Sequence, residues 1–399
     1  MNIFVINSGS SSIKYQLFKM PSTSPVCVGL VERVGYGDAS ITHKTYINGE
    51  EKSVTHTMPI PDYETGLNEV NRLLSDPELG VIKDTSEIIA VGHRIVHGGE
   101  RFTELTQITP EVKEELKLTF QLAPLHNPSA YKGIEVAETI FTNAVQLAVF
   151  DTAFHQTRPA KAYRFALPVS YYKDYHIRGY GFHGTSHKYV SEQAVAYLNK
   201  PDAKLISIHL GNGCSMTAIQ NGQSLDTSMG FGPLSGLIMG TRTGDIDPTV
   251  IFYLVNELGY SIDKVSDLVN KQSGMLGLTG FSDMRDITKA INEGNEDAKL
   301  AYDMYAYRIK KFIGSYAAVL NGIDAIIFTA GVGENDAQVR QLSCEDMQYM
   351  GINIDKDVNY TRSPGIREIS TADSPVKILV IPTNEELEIA NQCYARLKG

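Results

Sequence analysis

The chain has 399 residues, of which 42% are hydrophobic, so it can bury a core large enough for two domains. Its formal net charge is -10 at pH 7, which argues against extensive binding to nucleic acid or anionic membranes, because both need basic surface. No apolar run is long enough to span a bilayer and the N-terminus lacks the basic flank of a signal peptide, so a cytoplasmic protein is expected, without membrane or nucleic-acid partners.

The first half of the chain is predicted to form an α/β domain. NIFVIN (2–7) is typical of a buried strand, Ser8 and Gly9 of a tight turn, and SSIKYQLF (11–18) alternates as a second strand does. The segment IIAVGHRIVHGG (88–99) is predicted to be a strand that runs into a glycine-rich loop. The remaining predictions are strands over 26–33, 40–47 and 146–151, and helices over 63–75, 111–120 and 129–140.

The second half of the chain repeats this order. LISIHLGNGCSMTAI (205–219) again predicts a strand, a turn of small residues and a strand, and helices are predicted near 248–258 and 296–321. DAIIFTAGVGEN (324–335) predicts a strand, a glycine loop and a helix start, and residues 377–397 predict a strand, a loop and a final helix. Two similar openings half a chain apart favour two related α/β halves.

The opening hairpin carries a cluster of hydrogen-bond donors. Ser10, Ser12 and Lys14 lie on one face of it, which makes them suited to phosphate oxygens. The alternative is an edge hairpin with a solvated polar face. Two glycine turns that also follow strands, HLGNGCS (209–215) and GVGEN (331–335), favour nucleotide phosphates or ribose.

Several common motifs are absent from the sequence. No Gly-Lys dipeptide occurs, so there is no Walker A loop, and neither H-E-x-x-H nor G-x-S-x-G is present. GYGFHG (179–184) matches G-x-G-x-x-G but does not follow a buried strand, which argues against a Rossmann site. The scattered Cys27, Cys214, Cys344 and Cys393 indicate reduced thiols and argue against structural zinc. The three glycine or serine turns therefore indicate a nucleotide held between two domains.

Two arginines are candidates for an anion site. Arg94 follows a predicted buried strand in GHRIVHGG, and Arg242 lies between glycines in MGTRTGDIDP. A guanidinium in a glycine-rich loop can present its fork to a carboxylate or a phosphate. A surface salt bridge is the alternative for each of them.

Acidic and imidazole side chains supply the other candidates. Asp151 ends a buried strand, where parallel sheets usually present their sites. His183 follows a glycine in FHGTSH, and a structural role is its alternative. Glu385 and Glu386 begin the last predicted helix, where one of them can face a metal, although such carboxylates also favour the helix dipole.

These residues stand in motifs that resemble the acetate and propionate kinase family, within the sugar kinase, Hsp70 and actin superfamily. The resemblance covers nearly the whole chain. The motifs that carry it are, in chain order, VINSGSSSIKY, GHRIVHGG, LAPLHNPSA, FDTAFHQT, YGFHGTSH, HLGNGCS, SMGFGPLSGL, MGTRTGDIDP, FTAGVGEN and IPTNEE.

The resemblance implies an activity, a fold and an assembly. The activity is reversible transfer of the γ-phosphoryl group of ATP to acetate, giving acetyl phosphate and ADP, with Mg²⁺ as the metal and Mn²⁺ as its alternative. The fold is α/β, with two duplicated actin-like (ribonuclease H-like) domains of mixed sheets flanked by helices and a cleft between them. The implied domains are 1–150 with 385–399, and 151–384, the second of which binds nucleotide and forms a homodimer interface.

The resemblance also assigns roles to individual positions. Arg94, Asp151, His183 and Arg242 would surround the transferring phosphoryl group, and Asn7 and Glu385 would mark the metal site. ATP would be held by Ser10, Ser12, Lys14, His209, Leu210, Gly211, Asn212, Gly213, Asp283, Met284, Arg285, Gly331, Val332, Gly333, Glu334 and Asn335. Acetate would contact Arg94, Val96, Leu125, His126, Phe182 and Pro233.

One residue has an open role. Acetate, with a pKa near that of Glu (~4.3), is already ionised at neutral pH and needs no general base. We therefore expect Asp151 to orient an arginine or a metal-bound water instead of transferring a proton. A propionate kinase with the same mechanism and a non-catalytic actin-like ATP switch are the alternative functions.

Overall fold

A computed structural model describes residues 1–47 and 49–399. The chain forms two compact units: unit 1 comprises Met1–Phe154 and Asn384–Gly399, and unit 2 comprises His155–Thr383. These boundaries lie a few residues from the predicted ones at 150 and 384, so that Asp151 and Asn384 fall in unit 1. None of the described helices combines the length and the apolar character needed to cross a lipid bilayer.

Both units contain runs of strands and runs of helices. The strands are β1 (Asn2–Ser8), β2 (Ser12–Lys19), β3 (Pro25–Glu32), β4 (Tyr36–Ile47), β5 (Glu50–Ile60), β6 (Ile88–Ile95), β7 (Thr106–Gln107), β8 (Val145–Phe150), β9 (Lys204–Leu210), β10 (Cys214–Gln220), β11 (Gln223–Thr227), β12 (Ala325–Thr329), β13 (Arg367–Glu368) and β14 (Lys377–Val380). The helices are α1 (Tyr63–Leu74), α2 (Pro110–Lys117), α3 (Asn127–Ile140), α4 (Ala160–Tyr163), α5 (Val169–Tyr175), α6 (Gly184–Leu198), α7 (Pro248–Asn256), α8 (Ile262–Lys271), α9 (Gly274–Thr279), α10 (Met284–Asn292), α11 (Glu296–Leu320), α12 (Ala330–Asn335), α13 (Ala337–Cys344), α14 (Lys356–Tyr360) and α15 (Glu385–Lys398).

The sheet of unit 1 is mixed. Its strands run in the order β5-β4-β3-β2-β1-β6-β8-β7. The consecutive strands β1 to β5 pair antiparallel, whereas β6 pairs parallel to both β1 and β8. The carboxyl ends of β1, β6 and β8 therefore meet at one edge of the sheet, which is where α/β proteins place their sites.

The sheet of unit 2 repeats this topology. Its order is β11-β10-β9-β12-β14-β13. Here β9, β10 and β11 pair antiparallel, β12 pairs parallel to β9 and β14, and β13 closes the edge antiparallel to β14. The strands β9, β10, β11, β12, β14 and β13 thus correspond in order and direction to β1, β2, β3, β6, β8 and β7. The predicted fold class, with two related α/β halves and mixed sheets, is confirmed.

The opening hairpin forms as its alternation predicts. Ile13, Tyr15 and Leu17 of β2 are fully buried, while the Lys14 side chain on the opposite face is about half exposed. The turn is closed by a hydrogen bond from the Gly9 N–H to the Ser12 carbonyl, 2.8 Å long. The polar side chains of β2 are thereby kept on the outer face, next to the carboxyl end of β1.

The last helix packs on the first sheet. Helix α15 contacts β1, β2 and β6, and it approaches Gly92 so closely that a Cβ there would lie 2.7 Å from Ile389 and 2.9 Å from Cys393. The Asn384 side chain caps the helix by accepting from the Leu387 N–H at 3.0 Å. This packing places the first turn of α15 beside the carboxyl ends of β1 and β6.

The structure differs from the sequence predictions at two places. GVGEN is not a loop that leads into a helix, because it forms most of the short helix α12, which follows β12 directly. The strand β5 was not predicted at all. It is an edge strand with mostly exposed side chains, EEKSVTHTMPI, so it lacks a strong apolar alternation and is specified by its pairing with β4.

Candidate active site

Four residues meet at the carboxyl edge of the first sheet. Asn7 is near the end of β1, Arg94 is near the end of β6, Asp151 directly follows β8, and Glu385 opens α15. Arg94 connects them, and its side chain is 20% exposed. The parallel pairing of β1, β6 and β8 explains why residues so distant in sequence come together.

Arg94 and Asp151 form a bidentate ion pair. The Arg94 Nη2–H donates to Asp151 Oδ2 at 2.5 Å, and Nε–H donates to Oδ1 at 3.2 Å. Nη1 lies 3.4 Å from Asn7 Oδ1, and Nε lies 3.9 Å from Glu385 Oε2. Since only 2% of the Asp151 side chain is exposed, this pair fixes the orientation of the guanidinium.

Burial and mutual charge dominate the electrostatics of this cluster. Burial lowers the pKa of Arg94, but the Asp151 and Glu385 carboxylates outweigh that effect and raise it above its usual range. Burial also raises the pKa of Glu385; Arg94 opposes the increase, and the negative charges of Asp151 and Glu386 add to it. An additional positive charge beside Glu385 would favour its ionised form.

The opening hairpin reaches the same helix terminus. Lys14 Nζ lies 2.6 Å from Glu386 Oε1, and the Glu386 side chain is only 8% exposed. Ser12, at the start of β2, is half-buried on the same face as Lys14, and Ser10 is exposed in the preceding turn. The first turn of α15 thus directs Glu385 towards Arg94 and Glu386 towards Lys14. Sequence reasoning considered Glu386 only as a possible metal ligand and missed its ion pair.

A second cluster surrounds the turn between β9 and β10 in unit 2. His183 precedes α6 in the left-handed backbone conformation (φ 57°), and its ring stacks on His209 with the centroids 4.2 Å apart. A Cβ on Gly213 would lie 3.4 Å from His183 Nε2 and 3.6 Å from Arg242 Nη1. Glycine at this position therefore lets the turn pass close to the His183 ring and the Arg242 guanidinium.

Arg242 is half-buried and is held through a backbone carbonyl. Its Nη1–H donates to the Pro233 oxygen at 2.9 Å. Burial lowers its pKa, and Cys214 only partly offsets this effect. Within residues 1–47 and 49–399, no carboxylate is within ion-pair distance of Arg242. Its guanidinium charge is thus available to an anionic ligand, unlike that of Arg94.

A pocket of about 1440 Å³ lies in unit 2. Its lining includes the predicted nucleotide residues Gly211, Asn212, Asp283, Met284, Arg285, Gly331, Val332 and Asn335. Asp283 and Arg285 pair at 2.6 Å, and hydrogen bonds from Arg285 lower the pKa of Asp283 to about 2. The pocket is large enough for a nucleotide and is lined by the glycine turn between β9 and β10 and by helix α12.

Other predicted nucleotide residues do not line this pocket. Leu210 is fully buried, His209 is buried against His183, and Gly213 lies under His183 and Arg242. Within α12, Gly333 packs near Phe328, while Glu334 turns away and accepts from the Thr383 N–H at 3.1 Å. The backbone of these residues shapes the turn and the helix.

The predicted acetate contacts belong to different units. In unit 1, Val96 is half-buried, Leu125 is 66% exposed and His126 is exposed. In unit 2, Phe182 is buried and Pro233 is half-buried. Val96 lies two residues from Arg94, and Phe182 directly precedes His183.

The comparisons with known proteins identify the family. The acetokinase family model matches residues 2–391. The chain belongs to the acetokinase family. This confirms the family predicted from the sequence motifs, and it opposes the non-catalytic ATP switch.

Individual acetokinases are similar over the whole chain. The acetate kinase of Flavobacterium johnsoniae is 58% identical over 399 residues, and that of Oleidesulfovibrio alaskensis is 49% identical over 403 residues; each alignment covers 100% of both chains. The crystal structure of Porphyromonas gingivalis acetate kinase has a TM-score of 0.94 at 44% identity and 99% coverage of both chains. A Francisella tularensis propionate kinase has a TM-score of 0.91 at 39% identity and 98% coverage of both chains.

Proposed function

We propose that this acetokinase reversibly transfers the γ-phosphoryl group of ATP to acetate, giving acetyl phosphate and ADP. Its family makes it a kinase with a carboxylate as the acceptor. The observation that supports acetate most directly is the Arg94–Asp151 pair, because it holds a guanidinium in one orientation at the sheet edge. The pocket in unit 2 supplies the proposed ATP site.

Arg94 is the proposed ligand of the acetate carboxylate. Asp151 occupies its Nε and Nη2, whereas Nη1 has only a long contact of 3.4 Å to Asn7. The Nη1 donors can therefore exchange Asn7 for a carboxylate oxygen. A fixed nucleophile is what phosphoryl transfer chiefly needs from a protein, because positioning and charge neutralisation supply most of the rate.

Arg242 and His183 are the proposed ligands of the transferring phosphoryl group. Charge spreads over its three equatorial oxygens in the transition state, and a guanidinium without a carboxylate partner can stabilise that charge. Losing one such contact costs about 3–4 kcal/mol of barrier, by analogy with an oxyanion-hole donor.

Magnesium is the proposed metal, with manganese as its alternative. Asn7 and Glu385 would hold it, because both offer oxygen ligands, which these hard cations prefer. Burial and the neighbouring carboxylates disfavour the ionised form of Glu385, and a bound metal ion would favour it. The described residues contain no cluster of three or more His, Cys, Asp or Glu that could hold a metal alone, which fits an ion that also binds phosphate and water. When bound, the metal would neutralise phosphate charge.

Glu385→Gln should raise the Mg²⁺ concentration needed for half-maximal rate by about tenfold or more, because an ionised oxygen ligand is lost. Glu385→Asp keeps the carboxylate and should lose less. Titrating the steady-state rate with Mg²⁺ at saturating ATP and acetate measures both. An unchanged Mg²⁺ requirement in Glu385→Gln would remove Glu385 from the metal site.

Propionate is the second candidate acceptor, because a propionate kinase is among the similar structures and Leu125 is largely exposed. One methylene changes binding by only about 1–3 kcal/mol. We expect kcat/KM to fall in the order acetate, propionate, butyrate, by roughly tenfold at the first step. Steady-state kinetics with the three acids checks this order, and a higher value for propionate would make the protein a propionate kinase.

We also propose that the protein is a homodimer that associates through unit 2. Helix α7 has the apolar sequence PTVIFYLVN and none of its residues is buried; Phe252 is 61% and Tyr253 59% exposed. Helix α8, which contacts α7, adds Ile262, also more than half exposed. Apolar surface of this extent is typical of a subunit interface.

Size-exclusion chromatography with light scattering should give twice the chain mass of 43.9 kDa. The substitution Phe252→Asp should shift the protein towards the monomer, because it places a charge within apolar surface. Asp263→Asn on α8, a change at a polar exposed position, is the control and should remain dimeric. A monomeric wild-type protein would contradict the proposal.

A cytoplasmic location is consistent with the thiols. All four cysteines are buried and unpaired. Burial raises the pKa of Cys214 to about 11 and those of Cys344 and Cys393 to about 12. Because the thiolate is the reactive form, these thiols have low reactivity at neutral pH. The fold does not rely on disulfide bonds formed by them and so needs no oxidising compartment.

A further inference from the structure

A buried group of histidines, His155, His187 and His209, lies behind His183 in unit 2. The proposed reaction gives no role to His155 or His187. Burial lowers the pKa of His155 to about 3 and that of His187 well below its usual value. His155 and His187 are therefore neutral at pH 7, and each carries its single proton on one of its two ring nitrogens.

Serine hydroxyls connect this group to His183 in a continuous series. His183 Nδ1 lies 2.9 Å from Ser215 Oγ, and the same oxygen lies 2.7 Å from His187 Nε2. On its other side, His187 Nδ1 lies 2.8 Å from Ser207 Oγ. The side chains come from α6, β10 and β9, so the series runs from His183 into the core of unit 2.

The number of available hydrogens allows two hydrogen-bond arrangements around neutral His183. Ser215 has one hydroxyl hydrogen, so it donates to one histidine and accepts from the other. If His187 donates from Nε2 to Ser215, then Ser215 donates to His183 Nδ1, and His183 carries its proton on Nε2. If all donors reverse, His183 carries its proton on Nδ1 and its Nε2 has none to donate.

The surroundings of His183 fix which nitrogen faces the site. His155 Nε2 lies 2.9 Å from the Phe182 carbonyl, which can only accept, so His155 donates there and holds the backbone just before His183. Nδ1 of His183 faces Ser215, and Nε2 lies 3.4 Å from the position of a Cβ on Gly213, on the side of the proposed phosphate turn. Nε2 is therefore the ring nitrogen on the side of the proposed phosphate turn, and to donate to a phosphoryl oxygen it must carry a hydrogen.

We propose that Ser215 and His187 are positioning residues that hold neutral His183 in the tautomer with its proton on Nε2. His187 donates to Ser215, Ser215 donates to His183 Nδ1, and His183 Nε2–H donates to an oxygen of the transferring phosphoryl group. No proton changes its atom in this arrangement, so the charge balance of the reaction is unaffected. The inference rests on the proposed function, since it takes His183 as a ligand of that group.

The tautomer can be measured directly. Long-range ¹H–¹⁵N correlation spectra of the full-length protein labelled with ¹⁵N-histidine distinguish the tautomers of neutral imidazoles, and the His183→Gln variant assigns the His183 signals. At a pH where the ring is neutral, we expect the Nε2–H tautomer of His183 in the wild type and a mixture of both tautomers in Ser215→Ala. A wild-type ring protonated on Nδ1 would overturn the proposal.

Kinetics supply the second test. Ser215→Ala should lower kcat for acetyl phosphate formation about tenfold, the effect of one lost hydrogen bond, with the KM for ATP within twofold of wild type. In a His183→Gln background the same substitution should cost less than twofold, because its effect acts through His183. An equal loss in both backgrounds would overturn the proposal and leave Ser215 with a structural role only.

Ser191→Ala is the matched control. Ser191 lies on the same helix as His187, is buried, and donates to the Lys188 carbonyl at 2.8 Å. Its replacement by alanine removes one buried hydrogen bond but leaves the hydrogen bonds from His183 through Ser215 to His187 unchanged, so kcat should stay within twofold of wild type. If the wild-type protein formed no acetyl phosphate, the proposed function would fail, whereas the tautomer would still be readable from the spectra.

Discussion

Arg94→Met should lower kcat/KM for acetate by about 10²–10³-fold and the free energy of unfolding by about 3–5 kcal/mol. The first effect follows from loss of the proposed acetate ligand. The second follows because the Asp151 carboxylate, with 2% of its side chain exposed, would lose the two hydrogen bonds and the positive charge of Arg94. Steady-state kinetics and urea denaturation measure the two effects separately.

The double substitution Arg94→Met/Asp151→Leu separates stability from catalysis. Replacing both members of a buried ion pair by apolar residues is often neutral or stabilising, so the double variant should recover most of the lost free energy of unfolding. The double variant should recover no activity, because the side chain proposed to bind acetate is still missing. A single variant as stable as wild type, or an active double variant, would contradict the role given to this pair.

The same pair explains why Asp151 is not expected to act as a general base. Its carboxylate is engaged by two Arg94 donors, and acetate is already ionised at neutral pH. The kcat/KM for acetyl phosphate should therefore be flat from about pH 6.5 to about 8.5. A bell-shaped profile whose acid limb disappears in Asp151→Asn would show proton transfer by Asp151.

Arg242→Ala should lower kcat by about 10²–10³-fold while the KM for ATP changes only a few-fold. Its guanidinium has no carboxylate partner within the described part of the chain, so its positive charge is available to the phosphoryl group. The fold should tolerate the change, since its one strong contact is to the Pro233 carbonyl.

Arg242→Lys is the control for charge without the planar fork. It should retain part of the activity, because a point charge still attracts phosphate but cannot hold two oxygens at once. Rapid-quench measurement of a single turnover would confirm that the loss lies in chemistry. A large increase in KM for ATP at unchanged kcat would instead assign Arg242 to ground-state binding.

Local pattern was enough to predict the framework of the molecule. The alternation of Ile13, Tyr15 and Leu17 gave the correct face of β2, and the two strand-turn-strand openings indicated the duplicated sheets. Glycine placement indicated the turn between β9 and β10 that lines the pocket, because close backbone approach favours glycine. The roles of the individual site residues came from the family resemblance and stay predictions.

Contacts between distant residues could not be read from spacing. Lys14 pairs with Glu386 across more than 370 positions, and the pair forms only because α15 returns to the first sheet. The link from His183 to His187 through Ser215 depends on how α6 packs against β10. Helix α12 was missed because the two glycines in GVGEN argue locally against a helix, whereas the structure has a short helix there directly after β12.

The most direct measurement of the central claim is trapping of acyl phosphate with hydroxylamine in reactions that contain the purified protein, ATP, Mg²⁺ and acetate. Acetyl hydroxamate should accumulate in proportion to enzyme and time, and it should fall by at least about a hundredfold with Arg94→Met or Arg242→Ala at equal protein concentration. Absence of hydroxamate with acetate, propionate and butyrate alike, or undiminished formation by both arginine variants, would contradict the account.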